Sequence, residues 1–393
     1  MSQKQVSHSP DLKKLQDIGL TINIVDGLLV AYNIPYVNSQ GVIAYGALVS
    51  ELTLAGEVTT TPSTHVIHFA GEHPCNRDGT IITAIKHGTQ NENKGGVTTN
   101  HSFSNKPIEF ANGYPDYYQK LLNYIEVISA PAKSIDPTVT AYSFGVIESK
   151  EDDDSVHHYI DTNSSRADIN EVSAKLKKLK VGIIGLGGTG SYVLDFVTKT
   201  HIKEVHLFDK DVFLQHNAFR APGAASIELL KEKSSKVNYL SNIYSKMHKN
   251  IIPHDFHLTQ TTLDETNGLD FVFICIDDGV AKKAIIEHLI AKQIPFIDVG
   301  IGIELTDGAL RGSARVTLCT PEKVDHLDKR ISFSNVEDDY TQNVQIAELN
   351  ALNASLAVIK WKKMYGYYHD LEKEYNSTYN IDVNQLVTDE ISS

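Results

Sequence analysis

Short apolar segments separated by polar, helix-compatible stretches form the pattern of the C-terminal part of the chain. Residues 181–184 are such a segment, residues 205–208 are a second and residues 271–276 are a third. A glycine-rich turn follows the first segment, and the stretch around residues 191–200 that comes next favours a helix. Short buried strands that alternate with helices are typical of parallel sheets, so the pattern predicts an α/β fold here.

The first 150 residues have a different pattern. Turn signals such as Asp26-Gly27 separate four strand-like segments, at residues 21–25, 28–32, 47–54 and 64–69. Apolar residues from Tyr117 to Ile128 then recur at helical spacing, and Pro131 and Pro137 are expected to end that helix. The order predicts a smaller α+β domain over residues 1–150, followed by the α/β domain over residues 151–393.

The turn after the first C-terminal strand has the sequence Gly185-Leu186-Gly187-Gly188-Thr189-Gly190. Glycines let backbone amides approach phosphate oxygens, and the start of the following helix offers unpaired N–H groups and a favourable dipole for an anion. Asp209 ends the next strand, at roughly the 20-residue spacing that places a carboxylate on a nucleotide ribose. The spacing therefore predicts a nucleotide site whose binding residues are Gly185, Gly187, Gly188, Gly190 and Asp209.

A polar segment that a hydride-transferring enzyme does not need follows this strand. It begins Asp209-Lys210-Asp211-Val212 and continues to Asn217 and Arg220. Here the chain resembles, over residues 160–365, the adenylation domain of the ThiF/MoeB and ubiquitin-activating enzyme superfamily, in which an Asp-x-Asp-x-Val segment precedes an Asn-x-x-Arg pair that holds the triphosphate. The resemblance implies a Rossmann-like, doubly wound adenylation domain that uses ATP and Mg²⁺, with triphosphate contacts from Asn217 and Arg220.

Three further residues match positions of this family. Arg166 lies before the first strand, where the family places its arginine finger, and Lys236 matches a lysine that follows the Asn-x-x-Arg pair. Asp277 matches the acid that holds magnesium. Alternative interpretations stay open for each residue. Arg166 is also compatible with an ordinary loop, and Lys236 with the solvated face of a helix. Asp278, the neighbour of Asp277, is the alternative metal ligand.

Carboxylate activation by ATP explains why this set of charges is needed. Attack on the α-phosphate with loss of pyrophosphate increases the negative charge across the phosphates, and fixed cations stabilise such developing charge. The resemblance therefore assigns catalytic roles to Arg166, Arg220 and Lys236, supported by a magnesium ion on Asp277.

Residues 347–363 resemble the long apolar helix that closes the family's domain. The chain departs from the family's pattern at two points. First, Ala221 stands where a glutamine often follows the arginine of the Asn-x-x-Arg pair. Second, the paired Cys-x-x-Cys motifs of zinc-binding members are absent, because the three cysteines, Cys75, Cys275 and Cys319, lie far apart. No structural zinc is expected.

Members of the family that form a thioester need a nucleophilic cysteine beyond the adenylation core. Cys275 is unsuitable because it lies within the apolar residues 271–276. Cys319 follows a strand-like segment and precedes Thr320-Pro321, which makes it the candidate nucleophile, with an ordinary buried thiol as the alternative. Cys75, in a polar loop, is the second candidate.

Composition narrows the classes of partner. The net charge of −13 argues against a nucleic-acid scaffold, which needs a basic face, and favours a protein partner. The sequence has no apolar stretch of about 18 residues and no charged-then-apolar leader, so neither a membrane span nor a secretory signal is expected. Three unpaired cysteines are typical of a reducing, cytoplasmic compartment.

These observations predict ATP-dependent adenylation of the C-terminal carboxylate of a ubiquitin-like or sulfur-carrier protein, for ubiquitin-like conjugation in first place. The resemblance implies a homodimer in which Arg166 reaches the partner's site, and it allows a conjugating enzyme as a further partner. Three alternatives stay open: an NAD-dependent oxidoreductase, an ATP-dependent tRNA-modifying dehydratase and a nucleotide-binding scaffold without turnover. The oxidoreductase would leave Asn217, Arg220 and Lys236 unexplained.

Overall fold

The computed structural model describes residues 2–94, 96–110, 112–149, 155–333 and 344–391. The chain forms two compact units, one of Met1–Asp154 with Tyr159–Asp168 and one of Ser155–His158 with Ile169–Ser393. Each unit has an apolar core of its own. No helix within the described ranges is long and apolar enough to cross a membrane.

The first unit is an antiparallel sheet packed against helices. Its helices are α1 (Ser2–His8), α2 (Pro10–Asp17), α3 (Tyr117–Ile135) and α4 (Thr162–Arg166). Its strands are β1 (Ile22–Val25), β2 (Leu28–Val37), β3 (Ile43–Glu51), β4 (Leu54–Ala55), β5 (Val58–Thr59), β6 (Val66–Ala70), β7 (Lys86–Lys94) and β8 (Val97–Ser104). The main sheet has the order β1-β2-β3-β6-β8-β7, with antiparallel neighbours throughout.

Helix α3 covers one face of this sheet and continues further than the sequence predicts. Asp116 caps its N-terminus by accepting a hydrogen bond from the Gln119 amide, and Tyr117 and Ile128 are buried in the core. Of the two prolines predicted to end the helix, Pro131 lies inside it, and the helix ends at Ile135, before Pro137. Burial of Ile128 and Ala132 on either side of Pro131 offsets the single backbone hydrogen bond that proline removes.

The second unit is a mixed sheet with helices on both faces. Its helices are α5 (Asn170–Ala174), α6 (Gly188–Val197), α7 (Gln215–Ala218), α8 (Ile227–Glu232), α9 (Lys236–Tyr244), α10 (Gly279–Ala291), α11 (Leu327–Arg330) and α12 (Ala347–Met364). Its strands are β9 (Lys180–Ile184), β10 (Glu204–Phe208), β11 (Ile251–His254), β12 (Phe271–Ile274), β13 (Phe296–Thr306), β14 (Ala309–Cys319), β15 (Glu374–Asn380) and β16 (Gln385–Ile391).

The sheet order is β11-β10-β9-β12-β13-β14-β15-β16. The pairs from β11 to β13 are parallel, and the pairs from β13 to β16 are antiparallel. After β9 the chain adds β10 and β11 on one side and then crosses to β12 and β13 on the other. The crevice at the carboxyl ends of β9 and β12 is therefore the topological switch point, where open α/β sheets bind their ligands.

The alternating directions of side chains along the central strands explain why helices cover both faces of the sheet. Phe271 and Phe273 pack into one apolar cluster together with residues of α6 and α12, whereas Val272 and Ile274 pack into another with residues of α10. Successive side chains of a strand point to opposite faces, so a continuously apolar strand requires cover on both. The predicted α/β, doubly wound architecture is confirmed.

Candidate functional site

A cleft of about 340 Å³ opens at the topological switch point of the second unit. Its walls come from the turn after β9, the ends of β10 and β12, the start of α9, and parts of β13, β14 and α12. The sequence-predicted residues that line it are Gly185, Gly187, Gly188, Asp209, Arg220, Lys236 and Asp277. Gly190 is buried against Gly185 and Cys275 of this lining, and Asn217 is buried and does not line the cleft.

The glycine turn, residues 185–190, connects β9 to α6. Gly185 has a φ of +86°, and a Cβ at this position would lie 2.7 Å from the Cys275 carbonyl oxygen, so only glycine fits. Gly187 caps α6 and has open space around it on the cleft side. The glycines add no side chains of their own, so the turn presents the N-terminus of α6 to the cleft, which is the arrangement that binds phosphate.

Asp209 holds the turn in place from the end of β10. One carboxylate oxygen accepts a hydrogen bond of 2.7 Å from the Leu186 amide, and the other accepts one of 2.8 Å from the Asp211 amide. Each carboxylate oxygen has lone pairs to spare. Asp209 can therefore accept a further hydrogen bond from a hydroxyl group that enters the cleft.

Lys236, the first residue of α9, is 7% exposed and does not lie on a solvated helix face. Its Nζ is 2.7 Å from an Asp211 carboxylate oxygen and 3.6 Å from one of Asp209. The hydrogen bond from Lys236 lowers the pKa of Asp211 despite partial desolvation. The lysine is thus a charged group fixed at the cleft wall.

Asn217 and Arg220 carry buried donors that have no acceptor among the described residues. Asn217 Oδ1 accepts a 2.8 Å hydrogen bond from the Leu214 amide, which fixes the side chain at the start of α7. Within the described ranges, Asn217 Nδ2 and Arg220 Nε have no hydrogen-bond partner although both are buried. Such groups cost free energy unless a ligand pairs with them, so they fit an anion with several acceptor oxygens.

The structure separates the roles of the two acids after β12. Asp278 caps α10, because its carboxylate accepts hydrogen bonds of 3.0 and 3.1 Å from the amides of Val280 and Ala281. Asp277 is exposed, lines the cleft, and makes no hydrogen bond or ion pair within the described residues. The acid that is available to a ligand is therefore Asp277.

One available carboxylate fits magnesium better than a fully protein-built metal site. In the described part of the chain, no group of three or more histidines, cysteines or acids is arranged to hold a metal ion. Magnesium is commonly bound through one or two carboxylates together with substrate phosphates and waters. Asp277 beside the glycine turn meets that requirement.

Several cleft residues are not among those expected from the sequence. Asn350 of α12 covers Gly188 and accepts a 3.0 Å hydrogen bond from Thr189 Oγ1. Opposite the glycine turn, Asp298 forms ion pairs with Lys282 and Arg315, which both line the cleft. The only sequence signal for these groups is a lone acid inside the apolar strand that begins at Phe296.

Arg166 and Cys75 belong to the first unit, whereas Cys319 and the cleft-lining Cys275 belong to the second. Arg166 ends α4 in the first unit, where its guanidinium donates a 2.7 Å hydrogen bond to the Asp17 carbonyl and lies 5.4 Å from the Phe144 ring centroid. Its role as an arginine finger stays a prediction. Cys319 is 2% exposed in the core, and burial raises the pKa of its thiol to about 12. Cys75 is also buried, which raises its pKa.

Comparison with protein families assigns each part of the chain to a family model. Residues 162–385 match the ThiF family, and residues 10–162 match a domain of unknown function (DUF6791). A tRNA threonylcarbamoyladenosine dehydratase of Haemophilus influenzae is 27% identical over 128 residues, which are 32% of this chain and 49% of that protein. The chain thus spans about half the length of this curated relative.

Solved structures with a similar fold include PaaA and MccB. PaaA is 18% identical, with a TM-score of 0.45, and the similarity covers 56% of this chain and 76% of PaaA. Escherichia coli MccB with MccA-N7isoASN is 18% identical, with a TM-score of 0.47 and coverage of 58% and 69%. The microcin C7 biosynthetic enzyme MccB with N-formylated MccA is 16% identical, with a TM-score of 0.46 and coverage of 73% and 83%.

Proposed function

The chain belongs to the ThiF family, and from this premise we propose that its second unit uses ATP to adenylate the C-terminal carboxylate of a ubiquitin-like or sulfur-carrier protein. The resemblance noted for residues 160–365 is confirmed by the family match. The observation that carries the proposal is the pair of buried donors on Asn217 and Arg220 that have no partner among the described residues, of which Arg220 lines the cleft together with the glycine turn and Lys236. This combination suits a triphosphate and has no use in hydride transfer.

In this proposal each side chain of the cleft has one task. The glycine turn binds phosphate oxygens through backbone amides, Asp209 accepts a ribose hydroxyl, and Arg220 with Lys236 binds the outgoing phosphates. Arginine supplies a planar, two-pronged contact, and lysine supplies a point charge. Magnesium, held by Asp277 and the phosphates, would neutralise charge on the leaving group.

The reaction forms one bond and breaks one. A carboxylate oxygen of the substrate attacks the α-phosphorus of ATP, and the bond from that phosphorus to the β-phosphate oxygen breaks. The products are an acyl-adenylate and pyrophosphate, and no proton or electron is exchanged. The residues of the cleft act by orientation and by stabilising the charge that moves onto pyrophosphate.

Nucleotide choice is the first test. At a concentration of about 100 times its Kd, ATP is expected to add about 2.7 kcal/mol of stability, which corresponds to a rise in Tm of about 5–10 °C for a domain of this size. NAD should give no comparable rise. A larger effect of NAD than of ATP would contradict the proposal and favour the oxidoreductase.

Turnover is the second test. Small proteins that co-purify from the native host and end in glycine should support ATP–pyrophosphate exchange, and the same proteins without their last residue should not. Arg220→Ala should lower exchange by about 100-fold or more, the effect of losing a preorganised donor to developing charge. Arg311→Ala is the matched control, because Arg311 is exposed and, in the part of the chain that the structure describes, forms an ion pair with Glu304 alone. Exchange at the wild-type rate in Arg220→Ala would refute the phosphate assignment.

A second candidate function, ATP-dependent modification of tRNA, is favoured by the similarity to the dehydratase of Haemophilus influenzae. We rank it lower because the net charge of −13 opposes binding to a polyanion. Total tRNA from the host is the direct probe. ATP consumption stimulated by tRNA and not by glycine-terminated proteins would reverse the ranking.

We further propose a homodimer in which Arg166 completes the site of the partner subunit. Arg166→Ala and Arg220→Ala proteins should each be inactive, but after subunit exchange a mixed dimer contains one site with both arginines. Random mixing then restores about a quarter of wild-type activity. No recovery in a mixture whose subunits are known to exchange would exclude the trans role of Arg166.

A further inference from the structure

A cluster of three charged side chains lies where α10, β13 and β14 meet the cleft. Asp298 on β13 is fully buried, with one carboxylate oxygen 3.0 Å from Lys282 Nζ and the other 2.5 Å from Arg315 Nη2. Lys282 is on α10 and Arg315 is on β14, with side chains that are 8% and 19% exposed. This ion cluster therefore combines one negative charge with two positive charges.

The excess positive charge faces the cleft. Lys282 and Arg315 line it, whereas Asp298 lies behind them. Of the other acids at the cleft, Asp209 and Asp211 are near Lys236, and Asp277 makes no ion pair within the described residues. A largely desolvated charge without a counter-charge is unfavourable, so an anion that enters from the cleft would complete the ion cluster.

The guanidinium of Arg315 is held in a fixed orientation. Its Nη2 donates to Asp298, its Nη1 donates to Thr317 Oγ1, and Thr317 in turn donates to Asn376 Oδ1 at 2.8 Å. Gly300 makes room for the flat group, since a Cβ there would lie 2.9 Å from Nη2. Arginine has five N–H donors, and two contacts leave three for a planar ligand such as a carboxylate.

Helix α12 connects the phosphate-binding turn with the strands that hold Arg315. Asn350 covers Gly188, and Asn353 donates a 3.2 Å hydrogen bond to the carbonyl of Gly300, which lies against Arg315. Residues three apart on a helix share a face, so both contacts come from the same side of α12. Arg315 and the glycine turn line one cleft, in which a carboxylate on the guanidinium would lie beside a nucleotide bound at the turn.

We propose that Arg315, oriented by Asp298 and Thr317, binds the substrate carboxylate and presents it to the α-phosphate of ATP. The inference rests on the proposed function and adds the group that recognises the acid. One carboxylate oxygen forms the bond to phosphorus as pyrophosphate leaves. The acyl group then no longer carries a negative charge, so its contact with Arg315 weakens and the adenylate is free to move to its acceptor.

The experiment compares an acid with its amide in the full-length protein. The probes are acetyl-glycylglycine and acetyl-glycylglycinamide, added to protein saturated with Mg²⁺ and the non-hydrolysable analogue AMPCPP, with binding measured by calorimetry. Wild-type protein should bind the acid at least tenfold more tightly than the amide. Arg315→Gln should bring this ratio close to one while the Kd for AMPCPP changes less than twofold. Arg311→Gln, on the same strand but exposed, should keep both values.

Chemical rescue distinguishes loss of the guanidinium group from a structural effect of the substitution. Guanidinium ions at millimolar concentration should restore the preference for the acid in Arg315→Ala, and sodium at equal ionic strength should not. Three outcomes overturn this inference alone. They are an unchanged preference for the acid in Arg315→Gln, loss of AMPCPP binding in that variant, and no preference for the acid in wild-type protein loaded with AMPCPP. A wild-type protein that binds neither ATP nor AMPCPP overturns the proposed function and, with it, this inference.

Discussion

Asp277 and Asp278 are neighbours in sequence, but the structure gives them tasks that one pair of substitutions can separate. Asp278 accepts the amide hydrogens of Val280 and Ala281 at the start of α10. Replacing such a cap by alanine costs about 1 kcal/mol, within a range of about 0.5–2, whereas asparagine caps nearly as well as aspartate. Asp277 makes no such contact within the described residues, so its replacement should leave stability unchanged.

These values convert into measurable shifts. One kcal/mol corresponds to a change in Tm of about 2–4 °C for a domain of 150–250 residues. We expect this decrease for Asp278→Ala, a negligible one for Asp278→Asn, and none for Asp277→Asn. The same melting assay, repeated with ATP over a MgCl₂ series, reports the metal. Loss of one carboxylate ligand should raise the half-saturating Mg²⁺ concentration about 10–100-fold in Asp277→Asn.

The reasoning is refuted by a reversed pattern. If Asp278→Asn raised the Mg²⁺ requirement while Asp277→Asn left it unchanged, the metal ligand would be Asp278. If Asp277→Asn lowered Tm in the absence of nucleotide and Asp278→Ala did not, the assignment of the helix cap would be wrong. The two readouts are independent, so each assignment can fail on its own.

Other substitutions test further parts of the second unit. Gly188→Ala places a methyl group against the Asn350 amide. We therefore expect the free energy of unfolding in urea to fall by about 1–3 kcal/mol and ATP to bind more weakly. Wild-type values of both quantities would contradict the close packing. Cys319→Ala should keep pyrophosphate exchange, because adenylation needs no thiol, and native Cys319 should resist iodoacetamide because its pKa is raised to about 12; rapid alkylation would show that the thiol is accessible. Burial opposes the charge of Glu374, but the hydrogen bond from Lys363 and nearby positive charge lower its pKa from 4.5 to about 2. Its contribution to stability is therefore complete above pH 4.5 and is lost as the pH falls towards 2, and Glu374→Gln should flatten the acid limb of a stability–pH curve.

Local sequence patterns predict the parallel core and the glycine turn. The strands at residues 180–184 and 271–274 are buried on both faces, so their apolar character is visible without any knowledge of tertiary contacts. The polar strand Lys86–Lys94 escapes such analysis because it lies at the edge of its sheet and is exposed along most of its length. Sequence patterns also miss the continuation of α3 through Pro131, because only the folded structure shows that Ala132, after the proline, is buried.

The charged part of the site is predictable only where spacing carries information. Asp209 stands at a characteristic distance from the glycine turn, and Asn217 and Arg220 form a recognisable pair. The ion cluster has no such signal, because Lys282, Asp298 and Arg315 come from three elements that meet only in the folded sheet. Likewise, Asp277 and Asp278 are equivalent in sequence, and only the hydrogen bonds at the start of α10 distinguish them.

The contact between Asn350 and Gly188 links nucleotide binding to the order of synthesis. The glycine turn leaves the ribosome first, but its cover in α12 follows roughly 160 residues later, about 10–30 s at ordinary elongation rates. During that interval a nascent chain has the turn, Arg220 and Lys236 without the helix that closes them. Limited proteolysis of a chain stalled before Asn350, with and without ATP, would therefore measure whether the glycine turn needs its cover in order to bind a nucleotide.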